Sequence, residues 1–230
     1  MSKNEKEITP SCAYCGTLNC YRKQKSFPSF CLTESSKKQN AKALKLYTDG
    51  GTDAKIAIAA AEIEGEYYGR LTRVEETVLF AKKIGAKKIG IATCIGLIEE
   101  TRVFAKVLEN AGLTPKAVLC KVGAIDKTEA GIAEEMKVEP GQHESLWNPA
   151  LQAKLLEEWG SELNVVVGLC VGHDSIFLRH SKVPTTCLIV KDRVLAHNPA
   201  GALHTAGFYY KRILDPAKYP EPHKRKKSKS

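Results

Sequence analysis

Residues 87–120 read KKIGIATCIGLIEETRVFAKVLENAGLTPKAVLC. The first part, KKIGIAT (87–93), is a short apolar run of the kind found in strands buried on both faces. IEETRVFAKVLENAG (98–112) has the spacing of an amphipathic helix and stops at Gly112. TPKAVLC (114–120) is the next strand. Strand, helix and strand joined this closely predict parallel pairing through a crossover helix.

The same alternation extends in both directions. TRVEETVLFAKKIG (72–85) places Val74, Val78, Ala81 and Ile84 at helical spacing, and Gly85 ends it. NPALQAKLLEEWG (148–160) is a helix with Pro149 in its first turn. NVVVGL (164–169) is a strand, and HDSIFLRHS (173–181) a short helix with Asp174 or Ser175 near its cap. TTCLIVK (185–191) is a further strand. The expected fold class is α/β: a three-layer, Rossmann-like parallel sheet over residues 41–213. Within it, 41–69 reads as two Ala-rich helical pieces broken at Asp49-Gly50-Gly51, with Thr52 or Asp53 capping the second. TESSKKQN (33–40) reads as a polar joint. The stretch 121–147 is too long for a bare connection and is expected to cover a site, with TEAGIAEEM partly helical.

A chain of 230 residues with 43% hydrophobic and 27% charged residues has the make-up of a soluble globular protein. No apolar run approaches the roughly 20 residues that span a bilayer. The N-terminus, MSKNEKEITPS, lacks the apolar segment of a secretory signal. A cytoplasmic setting is therefore the default. There thiols stay reduced, and clustered cysteines point to metal or catalysis before disulfides. Five positive charges of the net +9 fall in the last seven residues, KRKKSKS. They belong to a basic tail (214–230) whose plainer reading is a solvated, disordered segment. Its sharper reading is contact with nucleic acid, although no aromatic residue interleaves with the charges.

Eight cysteines are the chemical signature. Cys12, Cys15, Cys20 and Cys31 read C-x2-C-x4-C-x10-C within residues 11–32, a segment with too few aliphatic residues for its own core. Such a knob is expected to be stapled by metal. Thiolates select zinc, copper(I) or iron–sulfur clusters. The spacing lacks the paired short C-x-x-C units of a double zinc knuckle, and a 4Fe–4S cluster accepts it equally well. Zinc is preferred, because a fully ligated site needs no redox partner.

Cys94, Cys120 and Cys170 each follow a strand-like run: KKIGIATC, KAVLC and NVVVGLC. Ligands of open α/β sheets bind beyond the carboxyl ends of the strands. If these strands are neighbours, three thiols converge there and leave a fourth coordination position open on zinc or a 4Fe–4S cluster. The bland alternative is three buried small residues, and an intermediate one is reactive thiols without metal. Gly96 and Gly172 permit tight turns into helices whose N-termini favour a thiolate. Lys121 and Lys127 suit a lowered thiol pKa, and His173 and Asp174 suit acid–base work. For His173 a capping or packed ring is the plainer role, and Glu99 and Glu100 read as helix-dipole partners. Cys187, inside a strand run, belongs to the core. His197-Asn198-Pro199 is either a structural turn or part of the Cys170 edge. Walker A, G-x-G-x-x-G, H-E-x-x-H and G-x-S-x-G motifs are absent.

On these residues the chain resembles a prokaryotic family of uncharacterised proteins expected to bind metal. The resemblance rests on C-x2-C-G at Cys12–Gly16, FPSFC ending at Cys31, IGIATCIGLIEE, CKVG, NPALQA, GLCVGHDSIF and LIVKDRVLAHNP. It runs from about Ser11 to Leu203 and implies metal at the N-terminal cysteines, with no established reaction. It also implies a cysteine before Asn148-Pro149 in many members, where this chain has Trp147. A looser similarity links the three strand-end cysteines to bacterial desulfidases, which hold a 4Fe–4S cluster by three cysteines and take sulfur from thiolated nucleobases. Fold-level likeness does not carry function.

Two functions are thus expected to compete. One is a metal-dependent enzyme acting on a small thiolated or redox-active substrate through Cys94, Cys120, Cys170, His173 and Asp174. The other is a non-catalytic metal-binding or sensing protein that engages a partner or nucleic acid. A metal-free thiol oxidoreductase is weakened by the lack of a C-x-x-C outside the knob. No membrane partner is expected.

Overall fold

The computed structural model describes residues 11–22, 24 and 26–222, so KRKKSKS lies outside the described residues. The chain divides into two compact units, Met1–Glu66 and Tyr67–Ser230.

In the first unit, Cys12–Tyr14 form a 3-10 turn, followed by helices α1 (Asn19–Arg22), α2 (Leu32–Ser35), α3 (Lys37–Thr48) and α4 (Thr52–Tyr67), the last reaching the boundary. The expected break between α3 and α4 is present. Gly50 takes a left-handed φ of 74°, and the Asp49 carboxylate accepts the Gly51 N–H at 2.8 Å. Two local readings change. Thr52 is the first helical residue and not a cap. Most of 33–40 is helical, interrupted at Ser36, because Lys, Gln and Glu are good helix formers.

The second unit is the α/β domain. Helix α5 (Arg73–Lys83) starts with a capping box: the Thr72 hydroxyl accepts the Glu75 N–H, and the Glu75 carboxylate accepts the Thr72 N–H at 2.7 Å. Then follow β1 (Lys88–Thr93), α6 (Ile98–Asn110), β2 (Thr114–Leu119), α7 (Pro149–Trp159), β3 (Leu163–Val167), α8 (His173–His180), β4 (Thr185–Ile189) and α9 (Ala200–His204). The four strands are all parallel in the order β2-β1-β3-β4. The expected three-layer Rossmann-like α/β architecture is present.

Alternation along the strands builds two cores. Ile89 and Ile91 of β1, with Leu163, Val165 and Val167 of β3, face Phe104 and Leu108 of α6 and Ala81 of α5. Ala92, Val118 and Val166 face Ala153 and Leu156 of α7 and Phe177 of α8 on the other side. Each fully buried Ile, Leu, Val or Phe contributes roughly 1.5–3 kcal/mol. The inner strands β1 and β3 are buried almost throughout, while β2 and β4 form partly exposed edges. Arg73 covers the β4 edge, donating to the Cys187 carbonyl at 2.7 Å.

One glycine is required by packing. A Cβ on Gly90 of β1 would sit 2.1 Å from Asn164 Oδ1 and 3.0 Å from Leu156 Cδ1. Because α6 and α8 lie on opposite faces, the connections leaving β1 and leaving β3 diverge at the carboxyl ends of these strands. That divergence opens a crevice there.

The long 121–147 segment is ordered by ion pairs. Lys137 bridges Asp126 and Glu134, each at 2.9 Å, and Lys127 pairs with Glu144. Its TEAGIAEEM stretch makes two 3-10 turns (Lys127–Ala130 and Glu134–Met136), with Gly131 left-handed between them. Toward the C-terminus, Pro216–Lys218 form a further 3-10 turn capped by Asp215. Among the described residues no helix is long and apolar enough to cross a membrane.

Candidate thiol site at the strand ends

Cys94 and Cys120 extend the sheet by one step. The Cys120 N–H donates to the Thr93 carbonyl at 2.8 Å, and the Cys94 N–H to the Val167 carbonyl at 3.1 Å. Gln152 of α7, fully buried, ties the two strands from one face. Its Nε2 donates to the Thr93 carbonyl at 3.1 Å and the Val118 carbonyl at 2.6 Å. On β3 the chain must turn sharply to bring up the third cysteine. Gly168 does so with φ 63°, and a Cβ there would lie 1.9 Å from Leu97 Cδ1. Leu169 and Cys170 then fold back into the core cluster that contains Cys94 and Cys120.

The three strand-end cysteines therefore meet. The thiol of Cys120 hydrogen-bonds Cys94, and Cys170 reaches Cys94 as well. Cys94 is held as a thiolate, down to about 5, chiefly by the Cys120 hydrogen bond, with help from the Gly96 N–H and the Lys191 ammonium against the cost of burial. Cys120 is pushed the other way. Its hydrogen bond to Cys94 and its burial keep the proton on, while the Ile95 N–H reaches its sulfur at 3.4 Å. Arg193 Nη2 donates to Cys170 Sγ at 2.8 Å.

Trp147, beside the cluster, stacks on the His173 ring at 4.9 Å and 22°. Lys121 Nζ lies 3.6 Å and Lys127 Nζ 4.2 Å from the Trp147 ring centre. The position where the resemblance implies a cysteine is thus filled by an indole. Burial lowers the pKa of His173, and its Nδ1 is buried without a hydrogen-bond partner. Burial likewise lowers that of Lys121, which donates to the Ser145 carbonyl. Asp174 has a backbone role: its Oδ1 accepts the Gly172 N–H at 3.0 Å and the Ser175 N–H at 2.7 Å.

Besides Gln152, Lys191 and Arg193 are site residues that sequence reasoning missed. The Lys191 ammonium would lie 3.2 Å from a Cβ on Gly96. Both residues sit on a tightly built turn. Asp192 Oδ1 accepts the Val194 and Leu195 N–H groups, each at 2.8 Å. His197 Nδ1 accepts the Asp192 N–H at 3.2 Å, and the His197 N–H donates to the Asp192 carbonyl at 2.9 Å. Ala196 and His197 carry φ of 49° and 64°, each costing roughly 1–2 kcal/mol without glycine. His197-Asn198-Pro199 is thus a structural turn, and Arg193 is the residue it delivers to Cys170. The available signal was two basic residues flanking an Asx turn in KDRV.

The N-terminal cysteines are separately placed. Cys12 opens the first 3-10 turn, Cys20 lies in α1 and Cys31 precedes α2. The Cys15 thiol pairs with the Thr17 hydroxyl at 3.6 Å, and that contact lowers its pKa. Among the described residues, no group of three or more His, Cys, Asp or Glu side chains is set to hold a metal ion as it stands. Cys187 is half-buried: it packs against the core from the β4 edge instead of lying within it, and burial raises its pKa.

Fold and site define a three-layer α/β protein with a buried thiol cluster at the carboxyl edge of its parallel sheet. Residues 31–188 match the family model described as protein of unknown function (DUF1847), and the chain belongs to that family. It is also similar to the uncharacterized protein MJ0455 of Methanocaldococcus jannaschii. The two are 47% identical over 161 residues, covering 70% of this chain and 81% of that one. The family match holds Cys31, Cys94, Cys120, Trp147, Cys170, His173 and Asp174, while Cys12, Cys15, Cys20 and Arg193 lie outside it.

Proposed function

We propose that Cys94, Cys120 and Cys170 are the working centre of a cytoplasmic metalloprotein acting on a small thiolated or redox-active substrate. The observation that carries this reading is the contact of three thiols from three adjacent strands, with Lys191 and Arg193 beside two of them. As it stands the trio is not set to hold a metal ion, but three thiols are the donors a soft metal group takes, a 4Fe–4S cluster before zinc. Ligation requires Cys120 to give up its proton and Cys170 to leave Arg193. Trp147 supplies no fourth ligand, so a group held by the three thiols would keep one position open. When bound, the group supplies a Lewis-acidic open site for a soft substrate atom.

The chain's own residues have definite tasks in this reading. Gln152 and Gly168 place the thiols. Lys191 and Arg193 offset the negative charge that deprotonated thiols bring. His173, kept neutral by burial and with a free Nδ1, accepts the substrate proton, while Asp174 holds the turn that presents it. Cys12, Cys15, Cys20 and Cys31 hold a second, structural zinc or 4Fe–4S group, for which their segment must close up.

Anaerobic purification followed by metal and sulfide analysis and an absorption spectrum tests the proposal. The expected result is iron, acid-labile sulfide and a broad visible band, lost in Cys94→Ala. Zinc alone, at one ion per chain and indifferent to Cys94→Ala, would overturn the cluster assignment.

A further inference from the structure

The three thiols are not equivalent as partners for one another. Thr93 of β1 pairs with Leu119 of β2, so Cys94 and Cys120 stand opposite each other one step further on. The 2.8 Å Cys120 N–H bond to Thr93 keeps that register. Their Cα atoms are therefore about one strand spacing apart, ~4.8 Å. A disulfide needs Cα atoms about 4.4–6.8 Å apart. In-register residues of parallel strands point to the same face, and both side chains lie in the same core cluster. Cys170 is placed otherwise. On β3, Thr93 pairs with Val167, so Gly168 is the residue in step with Cys94 and Cys170 lies past the left-handed turn. Its sulfur is also occupied by Arg193.

We propose that Cys94 and Cys120 form a reversible disulfide when the metal-free chain meets a hydroperoxide, and that Cys170 stays outside it. This goes beyond the metal reading and does not require it. A metal group on these thiols would protect them. Cys94 is 4% and Cys120 1% exposed, so the oxidant must be small. One thiolate of the pair attacks the peroxide O–O bond. Its sulfur keeps one oxygen as a sulfenic acid, and the other oxygen leaves as water after protonation. The second thiol attacks that sulfur, the S–S bond forms, the S–O bond breaks and a second water leaves. Two thiols are oxidised and one hydrogen peroxide is reduced to two waters.

The test uses the full chain, reduced, stripped of metal with chelator and treated with hydrogen peroxide. Free thiols are then alkylated, and the chain is digested with trypsin and analysed by mass spectrometry. The expected product links peptide 89–102 to peptide 117–121, disappears with reductant and survives in Cys170→Ser. In Cys120→Ser, Cys94 is expected to be recovered as sulfenic or higher acid without a bridge. Two results would overturn the proposal: a bridge to Cys170 in the wild-type chain, or recovery of both Cys94 and Cys120 as alkylated thiols at peroxide levels that oxidise the exposed Cys12 and Cys20. Metal content plays no part in either outcome, so the two readings fail separately.

Discussion

Cys94 and Cys120 leave adjacent parallel strands side by side, and the thiol of one donates to the sulfur of the other. One hydrogen bond thereby moves two pKa values in opposite directions, and the pair titrates as a unit.

That asymmetry sets a pH dependence for the metal-free protein. Cys94 falls from an ordinary 9.0 to about 5 on folding. Between those values the unfolded chain carries a proton that the folded chain has lost, so stability rises with pH across this window and its contribution is gone below about 5. Cys120 has the opposite sign. Its folded pKa is raised above 9.0, so above that value the unfolded chain has lost a proton the folded chain keeps, and stability falls. Urea midpoints measured across pH should therefore show a maximum near 9.0, and Cys94→Ala should flatten the rising limb.

Removing the hydrogen bond should weaken the thiolate directly. In Cys120→Ala, the midpoint pH for alkylation of Cys94 is expected to move up from about 5 toward the ordinary thiol range, since the largest stabilising contact is gone. Peptide-resolved iodoacetamide kinetics measure it. An unchanged midpoint would mean that Gly96 and Lys191 suffice.

Gln152 is expected to be costly to replace. Gln152→Leu keeps most of the volume but deletes donors to two strand carbonyls in a dry interior. The loss should be about 1–3 kcal/mol. Equilibrium urea denaturation gives the value, and faster alkylation of Cys94 should accompany it.

Gly168→Ala combines two penalties. The added Cβ lies 1.9 Å from Leu97, and φ is 63° where an L-residue is strained. A loss above roughly 2 kcal/mol is expected, from overpacking plus left-handed strain. Thermal unfolding measures it.

Trp147→Cys puts a thiol where only an indole now meets the cluster. The Asn148 N–H is anchored to the Cys120 carbonyl at 2.8 Å, which holds the neighbouring residue 147 beside the trio. Zinc affinity of the metal-stripped chain should rise at least about tenfold, equal to ~1.4 kcal/mol. Competition with a zinc indicator reads this, and Trp147→Phe should leave the affinity unchanged.

Much of the fold was legible in the chain. KKIGIAT, TPKAVLC and NVVVGL became β1, β2 and β3, because a strand buried on both faces must be apolar throughout and a crossover must be a helix. The strand run around Cys187 marks it as a packing residue, and its place on the edge strand β4 leaves it half-buried. The helicity of 33–40 is not legible, because polar helix formers carry no periodic apolar signal. The split of TEAGIAEEM at Gly131 was equally hidden. At the site, Cys94, Cys120, Cys170 and His173 were visible as chemistry-bearing types. Gln152, Lys191 and Arg193 were not, since a buried amide and two loop cations look like any others until their neighbours are known.

The layered α/β scaffold, the family and the placing of three thiols at strand ends are all written in the chain. These follow from local periodicity, which the chain carries in every window. The folded whole alone sets β1 between β2 and β3 and turns Cys170 back at Gly168 toward the other two thiols. It also decided that Cys120 hydrogen-bonds Cys94 while Arg193 engages Cys170. Strand order and hydrogen-bond partners are long-range properties. They are set by how the two cores close around the sheet, and no single segment encodes them.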